Sequence, residues 1–204
     1  MQSLKQKLLP QLIIIYTRYL LGGSLVFASL IKIKGRRFTT FSGENEPMGT
    51  VFHFFETMYQ TGMYWQFIGV AQLIAGFFLM TQRWSKLGTV IAFPIMLNIF
   101  IITISISGFN FTPVVTGMML FANVLLIVWH WDQLKFLFNL PPIPESVNQF
   151  ENARTWEVTG LAMFLFTFTY RLWTDSYDPI FWFGVCVLIG IIGLVAGMKK
   201  WNVQ

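Results

Sequence analysis

Cysteine is nearly absent from this chain: Cys186 is the only one among 204 residues. An internal disulfide, a CxxC redox couple and a cysteine-ligated metal cluster within the chain are thereby excluded. Histidine is almost as scarce, with His53 and His130 alone, and no HExxH, GxGxxG, Walker A or Ser/His/Asp pattern occurs. Charge is thin as well. Asp, Glu, Lys and Arg make up 11% of the residues, whereas a soluble domain carries roughly 25%. That is too little to coat a water-facing surface, and it excludes disordered, collagen-like and coiled-coil classes at the same time.

What fills the chain is apolar. Hydrophobic residues reach 55%, aromatic residues 18%, and the mean hydropathy is +0.60. A hydrocarbon layer about 30 Å thick needs roughly 20 mostly apolar helical residues. Six runs approach that length, at 11–33, 63–82, 87–108, 112–131, 158–173 and 179–198. The expected fold is an all-α integral membrane protein with about six spans, of which the fifth is short and aromatic enough to be re-entrant or interfacial. Arg18 interrupts the apolar run behind Lys5 and Lys7, which argues against a cleaved signal peptide.

With both termini cytoplasmic, the inner face holds Lys5, Lys7, Arg83, Lys86, Lys135, Arg154, Lys199 and Lys200. The outer face holds Lys32, Lys34, Arg36, Arg37 and Arg171. Eight against five favours that orientation by the positive-inside rule. The net charge of +5 thus reads as topology and not as a nucleic-acid surface. Short connections make spans two, three and four antiparallel neighbours. The long connection at 34–62 contains a helix over 48–60, with Val51, Phe52, Phe55, Met58 and Tyr59 opposite His53, Glu56 and Gln60. It is expected on the membrane surface or as a lid over the bundle, with Glu56 turned towards Lys32, Arg36 or Arg18. Pro141, Pro142 and Pro144 end a helix over 132–140 and start a stiff linker.

Polar residues inside the spans each require a partner. Arg18, Gly22, Leu25, Ser29 and Lys32 share one face of span one, so that face is expected to meet protein. Span two carries Trp65, Gly69, Gln72, Gly76 and Arg83 in the same way. Span three holds Pro94 and Asn98, and span four places Thr116, Asn123 and His130 at heptad spacing. Two readings stand: amides and one arginine gluing a bundle, or a seam of Arg18, Gln72, Asn98 and Asn123 that holds a ligand. Glu56 and Glu157 are the nearest candidate partners for Arg18. His130, between Trp129 and Trp131, reads as an interfacial anchor, and its distance from His53 in this topology argues against paired haem ligation. Gly190, Gly193 and Gly197 offer a close-packing face, with a second protein or span five as occupant.

Arg18-Tyr-Leu-Leu-Gly22 with Phe27, Ala28, Ser29 and Lys32, then Gly69-Val-Ala-Gln72 with Gly76, Gly88 and Pro94-Ile-Met-Leu-Asn98, resembles the DoxX/DoxD family of small bacterial membrane proteins. The resemblance covers residues 11–131. It implies a four-helix core over 1–131 with an extracytoplasmic insertion at 34–62; residues 132–204, read from their own pattern as a cytoplasmic linker at 132–157 and a transmembrane hairpin at 158–204, extend beyond the usual core of that family. It also implies the cytoplasmic membrane of a bacterium and redox partners of the thiosulfate:quinone oxidoreductase kind. With no redox motif of its own, the chain is expected to be a non-catalytic subunit packed against lipids and other membrane proteins, holding at most a quinone or lipid in its polar seam and no metal. The alternative is a quinone-reactive subunit in which Arg18 polarises a carbonyl while Glu56 or His53 delivers protons.

Overall fold

The computed structural model describes residues 5–39, 41–143, 150–175 and 178–201. All regular structure among them is helical apart from one isolated bridge, Thr50 to Ser107. The helices are α1 (Leu8–Ile33), α2 (Val51–Gln60), α3 (Met63–Met80), α4 (Ser85–Ser105), α5 (Thr112–Trp129), α6 (Trp131–Leu134), α7 (Arg154–Trp173) and α8 (Pro179–Trp201), with 3-10 turns at Lys135–Phe138 and Phe150–Asn152. Five of them, α1, α3, α4, α5 and α8, are long and apolar enough to cross a membrane. The 20-residue α7 has the length, but Arg154, Glu157 and Arg171 together with four threonines dilute its hydropathy.

Helix α1 is the axis of the molecule. Its buried stripe is the one expected, with Arg18, Gly22, Leu25, Ser29 and Lys32 all turned inward. Helix α3 packs along it closely because glycines face its backbone. A side chain at Gly69 would strike the Ser29 carbonyl, and one at Gly76 the Gly22 carbonyl. The other side of α1 receives α7, so the C-terminal helices share the interior with the first four. Tyr19 lies beside Gly160 near the start of α7, and the Arg171 Nε donates to the Phe27 carbonyl near its end, 3.2 Å away. Helices α1 and α7 therefore run parallel. Helices α3, α4 and α5 follow one another through short turns, with Thr116, Asn123 and His130 on the buried side of α5 and its C-terminal cap.

Two hydrophobic clusters fill the bundle. One gathers Ile14, Leu21, Leu25, Leu79, Met96, Leu126 and Trp129 between α1, α3, α4 and α5. The other joins Ile15, Tyr19, Val26, Met80, Phe150, Trp156 and Met163 between α1, α3 and α7. Leu87, Phe67, Met118, Phe121, Ile180 and Ile192 lie exposed around the periphery. Such a rim would be insoluble in water but suits hydrocarbon.

The helix expected over 132–140 is broken. α6 ends at Leu134, a 3-10 turn follows, and Asn139 adopts a left-handed conformation at φ 60° that closes it. Pro144 lies outside the described residues.

Candidate functional site

Ten residues into α1, about 15 Å along its axis, Arg18 sits at the level where α3 and α5 end. Gln82 follows α3 and His130 caps α5, so both reach it from chain turns. One Arg18 terminal nitrogen donates to Gln82 Oε1 at 2.7 Å. The other donates to Glu151 Oε2 at 2.6 Å and contacts His130 Nε2 at 2.9 Å. A guanidinium can only donate, so this His130 nitrogen accepts and its ring is the neutral Nδ1–H tautomer. The ion pair is shut away from solvent, with both side chains no more than 2% exposed.

Glu151 and Gln82 are held in turn. The Trp129 indole donates to both carboxylate oxygens of Glu151, at 3.0 and 3.3 Å. Glu151 N–H donates to Gln11 Oε1, and Gln11 Nε2 donates to the Lys5 carbonyl, each at 2.8 Å. Gln82 Nε2 donates to the Ile15 carbonyl at 3.3 Å. Lys5 closes the outside through a 2.9 Å ion pair with Asp132. The short turn carrying Glu151 is pinned by Phe150, whose carbonyl accepts from the Trp156 indole at 2.9 Å. A buried ion pair tolerates its desolvation only when such extra hydrogen bonds satisfy it, and here two nitrogens, Arg18 Nε and His130 Nδ1, are left over.

This arrangement corrects three expectations. The partner of Arg18 is neither Glu56 nor Glu157 but Glu151, from the stretch read as a cytoplasmic linker. Once Phe150 enters the apolar cluster, its neighbour is carried under the bundle. His130 is no interfacial anchor, because at 2% exposure it is part of the buried network. The proposed polar seam is also not one site. Gln72 and Asn123 are buried, each with a carbonyl oxygen lacking a partner, and Asn123 Nδ2 donates across to the Thr89 carbonyl at 3.2 Å. Asn98 instead lies exposed on the outer side of α4, with Pro94 one turn before it and Leu97 and Ile101 alongside.

Glu56 stands at the other end of α3, about 27 Å away along that 18-residue helix. Its carboxylate takes two bonds from Arg37, Nε at 2.8 Å and a terminal nitrogen at 2.9 Å, and one from the Gly43 N–H at 3.2 Å. The bonds from Arg37, then that from Gly43, hold its pKa down at about 2. Glu56 thus serves Arg37 and not Lys32, Arg36 or Arg18, and neither it nor His53 on the same short helix is placed to pass protons to Arg18. The helix over 48–60 begins at Val51, capped by the Thr50 hydroxyl. Phe55 packs on Phe38 and Phe109, and Phe52 on Phe41, so the chain's own loops cover much of its apolar face. Nearby, Lys32 donates to the Ala28 carbonyl at 2.7 Å with Phe38 and Trp65 rings against its ammonium. Lys34 and Arg36 both pair with Asp175 and tie the two loops at this end together.

The glycine face of α8 is occupied within the chain. Gly190 meets Met163 and Tyr16, Gly193 meets Thr159, and Gly197 meets Trp156. Sequence reasoning passed over Gln11, Gln82, Trp129 and Glu151. The signal available was the seven-residue spacing of Gln11 and Arg18, two turns apart on one face. Among the described residues no group of three His, Cys, Asp or Glu side chains could hold a metal ion.

Comparison of the chain with protein-family models, with curated proteins and with solved structures returns no match.

Proposed function

We propose that this chain is a non-catalytic, DoxX-like subunit of a larger complex in a bacterial cytoplasmic membrane, crossing it six times with both termini in the cytoplasm. The observation that carries this reading is Asn98. It is an amide on the outward side of an apolar membrane helix with no hydrogen-bond partner among the described residues. Hydrocarbon offers such a group nothing, whereas a neighbouring membrane helix with a polar side chain satisfies both its donor and its acceptor. The Arg18 cluster supports the same reading from the other direction, since its charge is spent on Glu151, Gln82 and His130 in locking the helices together. The parallel course of α1 and α7 supports a sixth crossing, and the surplus of basic residues at the Arg18 end supports its cytoplasmic placement.

Photo-crosslinking in intact membranes tests the proposal, with the probe at position 98 or, as a control, at Phe121. A discrete adduct to one membrane protein from position 98 that is absent from position 121 is the expected result. Lipid adducts alone from position 98 would overturn the subunit reading.

A further inference from the structure

The paired surfaces of α7 and α8 leave a groove of about 560 Å³ on the outside of the bundle. Small residues make it: Ala162 on one wall and Ala196 on the other leave room that Val158, Ile189 and Ile192 flank with apolar side chains, while Gly193 and Thr159, in contact with each other, line it between the helices. Val158 and Ile192 are 59% and 69% exposed, so the groove opens sideways into the layer where acyl chains lie. It extends about 12 Å along α7 from Arg154 to Ala162 and about 16 Å along α8 from Ile189 to Lys200, at 1.5 Å per residue.

One end of this trough is polar. Arg154 is the first residue of α7 and Lys200 lies in the last turn of α8, so both cations come to the same mouth, with Thr155 between them on the lining. Neither cation has an ion-pair partner among the described residues; of the two acids three residues from Arg154, Glu151 is committed to Arg18, and Glu157, in the first turn of α7, does not line the groove. The N-terminus of α7, without a side-chain cap and with Glu157 in its first turn, lies at the same mouth. An apolar trough ending in two cations without ion-pair partners is complementary to a molecule that joins an apolar chain to an anionic head group.

The geometry points to a bound anionic phospholipid, with its phosphodiester between Arg154 and Lys200 and one acyl chain along the α7–α8 groove. A guanidinium and an ammonium on opposite walls recognise a phosphate from two sides. The groove selects for a chain attached to it. The cations lie at the end of the bundle that carries Lys5, Arg83 and Lys86, so the lipid comes from that leaflet. This inference does not depend on the subunit reading, because a protein that purifies alone can still retain the lipid.

Native mass spectrometry of the detergent-purified protein tests it, after delipidation and titration with dioleoyl phosphatidylglycerol or dioleoyl phosphatidylcholine. The expected result is one retained phosphatidylglycerol at least tenfold preferred over phosphatidylcholine. Arg154→Gln/Lys200→Gln should abolish that preference. Ala196→Trp, which fills the trough and keeps both charges, should lower retention of either lipid. Arg83→Gln, a cation at the same end but outside the groove, should behave as the wild type. Thermal unfolding of each variant confirms that it is folded. Unchanged retention in either folded groove variant, or equal retention of the two lipids by the wild type, would overturn the proposal.

Discussion

Removing one partner from the Arg18–Glu151 pair and removing both have different consequences. Glu151→Ala leaves a guanidinium buried without a counter-charge, a loss of about 3–5 kcal/mol in comparable sites. The Arg18→Met/Glu151→Leu double variant leaves no charge behind and should recover most of that, as thermal unfolding in detergent will show. At the opposite end, acid acts on Glu56. Its pKa, ordinarily 4.5, is held at about 2 in the folded chain, so its contribution to stability is complete above about 4.5 and fades as the pH falls from there towards about 2. The gap in unfolding temperature between wild type and Glu56→Gln should therefore narrow between pH 6 and pH 3. A constant gap would show that the carboxylate charge is not what the Arg37 contact uses. The buried face of Arg18 was legible from the spacing of its neighbours. Glu151 was not, because hydropathy marks Phe150 as apolar without saying that the chain folds back to bury it.

Among the elements, α7 depends most on a single small residue. A methyl group at Gly160 would run into the Met80 carbonyl and the Tyr19 ring, so Gly160→Ala should push α7 off α1 and α3 and lower the unfolding temperature sharply. Gly184→Ala in α8 meets nothing. It should be neutral or mildly stabilising, within about 1 kcal/mol, because alanine is the better helix former. Equal effects from the two substitutions would count against the packing described for α7. The apolar runs and their helical periods made most of these helices readable in advance. Their partners were not readable, since a glycine stripe such as Gly190, Gly193 and Gly197 shows that something comes close without saying whether it is the chain's own helix. The outward turn of Asn98 was hidden for a related reason, because α4 is apolar on every side and offers no contrast from which to assign a face.

At the scale of the whole molecule, the paths of α1 and α7 make a definite topological claim. In a Cys186→Ala background, a cysteine at the exposed position 44 should react with an impermeant maleimide added outside intact cells. A cysteine at exposed position 200 should react only after the membrane is opened. Labelling of both from one side would remove α7 as a crossing helix, since an odd number of passes cannot return the chain to its starting face. Lys34 and Arg36 bound to Asp175 already require the loop after α7 to lie at the same end as the loop after α1.

The 133 residues between Arg18 and its carboxylate also order events in time. At about 5–20 residues per second, a ribosome takes roughly 7–27 s to reach Glu151 after finishing Arg18. Throughout that interval the first helix must enter the bilayer with its strongest charge uncompensated. Gln82, 64 residues on, is the first of its later ligands to be synthesised, and His130 follows. The expected outcome is that insertion of this chain is weaker until Glu151 emerges. A nascent chain arrested at residue 143 should slip from the membrane under alkaline extraction more readily than the finished protein. Arg18→Leu should cure that defect in the arrested chain while leaving Glu151 of the finished protein without its partner.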